Sequence, residues 1–311
     1  DNDNDLDIYF VNGSSLDNSK TVRAYNHLYR NDGNLTFTDV TMESQTGNQG
    51  CGTGVCVGDY NNDGWLDIYV TNFRSNVLYR NNKDGTFTDV TETANVDCQK
   101  WSTGCSFSDV DGDGDLDLYI ANYVDFSIER HIPCRVNGIL AYCSPRVYDG
   151  LKDVFFRNNG DGTFTQNTEA SGFSYMAGRG LGVIFADYDN DSDPDLYVAN
   201  DADQDLLYQN DGRGFFQETG QVSGVGFSEH GLVENGMGVD FGDYDNDGLF
   251  DIVVTNFQHQ TNTIYHNEGN SFFKDVSYDS GTGTVTMPYL AWGSNFFDFN
   301  NDGWLDLFIA N

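Results

Sequence analysis

The chain has 311 residues and a formal net charge of −34, from 49 Asp and Glu against 15 Lys and Arg. That balance excludes a duplex nucleic-acid partner, which needs clustered Lys and Arg to displace counterions, and adhesion to anionic lipid by charge alone. No run approaches the roughly 18–20 apolar residues of a membrane-inserted helix, whereas 14% aromatic residues and regular apolar strands point to a packed core.

The chain opens on an acidic stretch in which Asp1, Asp3 and Asp7 fall at the third, fifth and ninth positions of a nine-residue loop. Five complete copies follow, with side-chain oxygens at positions 1, 3, 5 and 9. They are Asp59, Asn61, Asp63 and Asp67; Asp109, Asp111, Asp113 and Asp117; Asp187, Asp189, Asp191 and Asp195; Asp243, Asp245, Asp247 and Asp251; and Asp298, Asn300, Asp302 and Asp306. Each loop runs into a β-branched and aromatic stretch, a strand signal. Each also places an Asn five residues after its last Asp: Asn12, Asn72, Asn122, Asn200, Asn256 and Asn311.

The segments between loops repeat as well. After each loop-strand the pattern predicts a hairpin, as in 78–91, where Asn82-Lys83-Asp84-Gly85 separates alternating apolar runs. The same hairpin is expected at 28–41, 155–168, 207–219 and 264–277. A Gly-rich apolar strand precedes each loop, at 54–59, 104–109, 180–187, 236–243 and 293–298. Four antiparallel strands per unit of 50–60 residues, with the acidic loop between the first and second, describe an all-β chain of propeller blades. The Gly-rich strand is expected innermost, where blades crowd around the axis. Residues 1–311 read as a single propeller domain, a fragment of a longer chain because it begins inside a repeat.

Alternate side chains at positions 1, 3 and 5 converge when the backbone curls, and the ninth carboxylate closes the shell. Such an all-oxygen cage suits calcium, which accepts six to eight oxygens in irregular geometry. Zinc or copper would call for His or Cys, which the loops lack. Gly64, Gly114, Gly248 and Gly303 hold the sixth position, where the curl favours positive φ; Asn4 is a tolerated substitute in the first loop, and Ser192 makes the fourth depart most. An EF-hand is excluded, because it needs a Glu at position 12 and flanking helices. A solvated turn would explain one copy, but not six with the same offsets and the same carboxylate repulsion. Up to six calcium ions are expected, leaving a charge of about −22.

The last aspartates of successive loops are 60, 50, 78, 56 and 55 residues apart, which marks an insertion at about 123–153. It carries Cys134, Cys143, Pro133 and Pro145, and the basic residues Arg130, His131, Arg135, Arg146 and Lys152. It reads as a lid over the blade edge or as a binding loop on a rigid scaffold. Six cysteines in close pairs, Cys51/Cys56, Cys98/Cys105 and Cys134/Cys143, predict three local disulfides and an oxidising compartment. Fifteen connectivities are formally open. The expected location is secreted, cell-surface or periplasmic, where calcium is plentiful.

The nine-residue loop in a four-stranded unit resembles the FG-GAP/VCBS repeats of integrin α-subunit propellers. The run Trp101-Ser-Thr-Gly-Cys105, the loop 109–117, Ala121-Asn-Tyr-Val-Asp125, Tyr142-Cys143-Ser-Pro145 and 156–164 are more specifically similar to the cartilage acidic protein family. The resemblance implies a secreted, calcium-binding, seven-bladed propeller without assigned enzymatic activity.

The first expected function is an extracellular binding or adhesion scaffold for a protein or glycan ligand, with calcium structural. The alternatives are a calcium-dependent lectin or a polysaccharide-active enzyme. For the enzyme, Arg179, Glu229, His230 and Glu234 are the candidate groups, but no catalytic motif is present, so no catalytic residue is expected.

Overall fold

The computed structural model describes residues 2–3, 5–16, 24–173 and 176–311. Four consecutive sheets are four-stranded and antiparallel in simple meander order. The first joins Cys51–Gly58, Asp67–Phe73, Val77–Asn81 and Phe87–Asp89. The next joins Ser102–Ser108, Asp117–Asn122, Val154–Asn158 and Phe164–Gln166. Then come Gly180–Ala186, Asp195–Asn200, Leu206–Asn210 and Phe216–Glu218, and Val239–Gly242, Asp251–Val254, Thr263–Asn267 and Phe273–Asp275. A three-stranded sheet, Ile8–Phe10, His27–Asn31 and Phe37–Asp39, precedes them. A pair, Ser294–Phe297 and Asp306–Ile309, follows. We call these sheets units one to six in chain order. The architecture is all-β and β-propeller-like.

The Gly-rich strands pack against one another from unit to unit, and their glycines mark where backbones meet. A Cβ on Gly54, Gly104, Gly182 or Gly238 would stand 2.3, 2.4, 2.4 or 2.0 Å from the carbonyl oxygen of Thr103, Leu181, Met237 or Trp292 in the next unit. Thr53 and Thr103 hydroxyls donate across the same seam, to Ser102 O at 2.5 Å and Gly180 O at 2.6 Å. The second strands, such as Asp67–Phe73 and Asp195–Asn200, are buried along their whole length, because neighbouring sheets cover both faces. Tyr69, Tyr119, Tyr197 and Tyr265 on these and adjoining strands fill the space between units.

A third regularity follows each second strand. The backbone N–H of its terminal Asn is accepted by a buried Asx side chain just ahead of the third strand. The pairs are Asn12 with Asn26, Asn72 with Asn76, Asn122 with Asp153, Asn200 with Asp205 and Asn256 with Asn262, all at 2.7–2.8 Å. The Asn amide of the strand then donates to the carbonyl just before that Asx, as from Asn72 to Ser75 and from Asn200 to Gln204. The repeated Asn thus ties the end of the second strand to the start of the third.

The insertion leaves unit three at this same end, between Asn122 and Val154. It contains a hairpin, Cys134–Val136 with Ile139–Ala141, closed by the Cys134–Cys143 disulfide. Cys51, Cys56, Cys98 and Cys105 are free thiols, which corrects the expected Cys51/Cys56 and Cys98/Cys105 pairs. Cys51 and Cys56 sit five residues apart along one extended strand. At ~3.3 Å per residue that separation far exceeds the ~7 Å limit between bridged Cα atoms. Cys98 and Cys105 are buried in different hydrogen-bonded surroundings: the Cys98 thiol faces Asn122 Oδ1, and the Cys105 thiol faces the Tyr69 carbonyl.

Candidate metal loops

The acidic loops lie together at the end of the sheets opposite the insertion, and each complete one joins an inner strand to a second strand. In every complete copy the first-position carboxylate accepts backbone N–H groups further along the loop and curls it. Asp59 accepts from Asp63 and Gly64 at 2.9 and 2.7 Å. Asp187 accepts from Asp191 and Ser192 at 3.1 and 3.0 Å, Asp243 from Asp247 and Gly248 at 3.0 Å each, and Asp298 from Asp302 and Gly303 at 3.0 and 2.8 Å. Asp109 accepts from Gly112 and Gly114. The fifth-position carboxylate accepts the N–H two residues on, as Asp3 does from Asp5 and Asp63 from Trp65. The sixth residue of the complete loops takes positive φ, near +90° at Gly64 and +77° at Ser192. The fourth loop therefore closes like the others, with serine in the left-handed region.

The ninth Asp does two jobs. One oxygen accepts the N–H of an Asn that ends the third strand: Asp7 from Asn31, Asp67 from Asn81, Asp117 from Asn158, Asp195 from Asn210 and Asp251 from Asn267, at 2.7–2.9 Å. That Asn amide also bridges backward to the preceding unit, from Asn158 to Tyr60 O, Asn210 to Val110 O and Asn267 to Tyr188 O, at 2.8–2.9 Å. The other oxygen turns to the loop: Asp195 Oδ2 and Asp251 Oδ2 accept the second-position N–H groups of Tyr188 and Tyr244 at 3.3 Å, and Asp117 Oδ2 meets Arg157. Asp67 is fully buried, and its Oδ2 has no hydrogen-bond partner.

In the loops at 109–117, 187–195 and 243–251, three aspartates each bring one oxygen to within 4.8 Å of the others: Asp109, Asp111 and Asp113; Asp187, Asp189 and Asp195; and Asp243, Asp245 and Asp247. Burial, reinforced by neighbouring carboxylates, pushes the ninth carboxyls up, to about 7 at Asp67, about 7 at Asp117, about 8 at Asp195 and about 6 at Asp251. Buried, mutually repelling carboxylates with an orphaned oxygen are what a divalent cation relieves. The all-oxygen donor set of most loops fits a hard ion such as calcium. In the loops at 59–67 and 298–306, Asn61 and Asn300 supply a neutral oxygen at the third position. Asp1 lies outside the described residues; Asp3 and Asp7 stand in the first loop as the repeat requires.

Two features escaped the sequence pattern. The fourth-position Asn of one loop donates to the sixth-position carbonyl of the next: Asn2 to Gly64 at 3.4 Å, Asn62 to Gly114 at 3.0 Å, Asn190 to Gly248 at 2.9 Å and Asn246 to Gly303 at 3.1 Å. The loops are thereby strung along one rim. Gly112 at the equivalent place in the third loop has no side chain to continue the series. An Asn stands at the fourth position of five of the six loops, a signal the sequence carries, but its partner lies in the next loop. The second feature is a third-strand side chain facing the loop of its own unit: Arg157 meets Asp111 and Asp117, and Gln209 meets Asp189.

The enzyme candidates do not form one constellation. Arg179 directs its donors to Asp203 at 2.7 Å and to the Tyr148 and Pro145 carbonyls, fastening the insertion to unit four. Glu234 is raised to about 7 by burial and accepts from Thr263 and Asn256. Glu229 and His230 pair with each other on the surface.

A sequence model of the FG-GAP-like repeat matches residues 1–70, 59–120, 146–198, 187–254 and 243–309. Cartilage acidic protein 1 of Mus musculus is 30% identical over 146 residues, 46% of this chain and 21% of that protein. The Xenopus tropicalis protein of the same name is 29% identical over 139 residues, 44% of this chain and 20% of its own length. These alignments thus span about a fifth of the curated relatives. Among solved structures, an Agrocybe aegerita lectin that recognises non-reducing terminal N-acetylglucosamine aligns with TM-score 0.38 and 17% identity, covering 93% of this chain and 80% of that one. A Bacillus licheniformis rhamnogalacturonan lyase aligns with TM-score 0.40 and 13% identity, covering 94% and 64%. Likeness this loose carries no argument about chemistry.

Proposed function

The chain belongs to the FG-GAP-like repeat family, and we propose that it is an extracellular binding scaffold of the propeller type whose acidic rim is set by structural calcium. The observation that carries this reading is the buried, partnerless Oδ2 of Asp67 inside an oxygen-lined loop that recurs along the chain. Calcium supplies the charge that lets these carboxylates stay ionised. The protein's own part is to curl each loop through its first Asp and to anchor its ninth Asp on the third-strand Asn.

Recognition belongs on the opposite end, where the insertion projects. Its hairpin exposes Val136, Ile139, Leu140 and Tyr142, the last completely, beside Arg135 and Arg146. Beneath it, Phe126 packs on Phe73, Trp101 and Tyr148 with ring centroids 5.4–5.7 Å apart, so the loop stands on a firm aromatic base. A protein or glycan ligand suits this mixed apolar and basic surface. The Cys134–Cys143 bond supports secretion or a periplasmic setting.

The test is metal analysis followed by thermal melting with and without chelator. Bound calcium at several ions per chain and a melting temperature that falls markedly in EDTA and returns with calcium are expected, since a ligand held only by the native state stabilises it by mass action. An unchanged melt after verified removal of metal overturns the reading.

A further inference from the structure

In units three to five the side chain just before the capping Asn of the third strand faces the acidic loop of its own unit, and its chemistry changes from unit to unit; in unit one the equivalent Arg30 pairs with Asp32 instead. In unit three it is Arg157, with Nη2 2.6 Å from Asp111 Oδ2 and Nη1 3.3 Å from Asp117 Oδ2. A built-in positive group therefore bridges the third and ninth carboxylates. In unit four it is Gln209, whose Nε2 donates to Asp189 Oδ2 at 2.6 Å. In unit five it is His266, whose Nδ1 lies 3.0 Å from Asp251 Oδ1 and 3.6 Å from Asp245 Oδ2. Asp245 and Asp251 are again the third and ninth positions. The guanidinium of unit three independently marks this spot as one that takes a positive centre.

His266 alone among these three carries an imidazole, a ring whose unprotonated nitrogen can bind a metal. Ligand atoms about 2.0–2.1 Å from a tetrahedral zinc stand roughly 3.4 Å apart, and the His266 separations of 3.0 and 3.6 Å bracket that value. One atom from each of Asp245, Asp251 and His266 lies within 4.8 Å of the others. Asp251 is fully buried, the His266 side chain is 22% exposed and that of Asp245 36%, so the group meets solvent chiefly on the Asp245 side. Imidazole with carboxylate suits zinc and its first-row neighbours rather than calcium.

We propose that the loop at 243–251 together with His266 is a mixed imidazole–carboxylate site for a borderline divalent cation of the zinc class. In these units the third-strand side chain thus sets the cation preference of the loop it faces: the chain's own arginine competes at Asp109–Asp117, and an imidazole recruits a softer ion at Asp243–Asp251. This deepens the metal-loop reading given above and rests on it for the curl of the loop.

The experiment strips the protein with chelator, then titrates zinc alone and calcium alone into wild type and His266→Gln by calorimetry. Glutamine occupies the same place in unit four, so the fold has a precedent for it. Wild type should show a zinc site weakened at least about tenfold in H266Q, since losing even an outer-shell partner costs about 10–100-fold; calcium stoichiometry should not change. Equal zinc affinity in the two proteins overturns the proposal while leaving structural calcium standing. His266-dependent zinc binding without calcium binding supports the proposal and removes the calcium reading instead. Should H266Q not fold, the imidazole nitrogen resonances of wild type read the contact directly. A zinc-induced shift of His266 Nδ1 supports the site, and an unmoved His266 overturns it.

Discussion

Single residues carry two sharply different burdens here. Burial pushes the Asp205 carboxyl up to about 8; it accepts from Asn200 N and the Tyr197 hydroxyl. The equivalent residues of units two and five are amides, Asn76 and Asn262. The folded chain keeps the Asp205 proton to about pH 8, whereas the unfolded chain releases it near its ordinary value of 3.8. This acid thus contributes its full stability below about pH 3.8 and loses it progressively as pH rises from there to about 8. Asp205→Asn should melt closest to wild type at pH 4 and above it at pH 8, gaining up to about 1.4 kcal/mol per pH unit in between. A difference that is the same at both pH values would show that burial of the charge is not the cause. The close seam makes the opposite prediction for Gly182→Ala, which sets a methyl against the Met237 carbonyl. It should cost about 1–3 kcal/mol in a denaturant titration.

Elements are joined by side-chain amides, and their burial ranks them. Asn210 ties its third strand to Pro194 O and, across the unit boundary, to Val110 O. Asn190 makes a comparable bond to Gly248 O, but on the exposed rim. Asn210→Ala leaves buried carbonyls without donors and should cost about 2–4 kcal/mol, whereas Asn190→Ala should cost under about 1 kcal/mol. Paired urea titrations give both values, and the order matters more than the size. The four-strand repeat, the hairpins and the position of the acidic loop between first and second strands were legible in the sequence. Each depends on residues a few positions apart and on a two-residue period. The register of Asn210 against Val110 was not, because it spans about a hundred residues and depends on how two sheets dock. The thiols went the same way. Spacing paired Cys51 with Cys56, but an extended strand carries them apart.

At the scale of the molecule, a net charge of −34 governs the electrostatics, with much of it crowded on one rim. Without metal that rim repels itself, and salt screens the repulsion over about 10 Å at 0.1 M. Raising sodium chloride from about 0.02 to 0.5 M should therefore raise the melting temperature of the chelator-treated protein by several degrees more than that of the calcium-loaded protein. Equal shifts would argue that the rim is not what calcium neutralises. Among the described residues no helix is long and apolar enough to cross a membrane.

The sequence by itself determined the repeating unit, the all-oxygen character of most loops and the crowding of glycines on the inner strands, because those follow from local offsets that backbone geometry converts directly into place. Only the tertiary structure decided what looks into each loop. Arg157, Gln209 and His266 lie 40, 14 and 15 residues from the ninth aspartate of their loops, and only sheet pairing brings them there. It likewise decided which carboxylates are buried, since burial is a property of what packs on top and not of the residue itself.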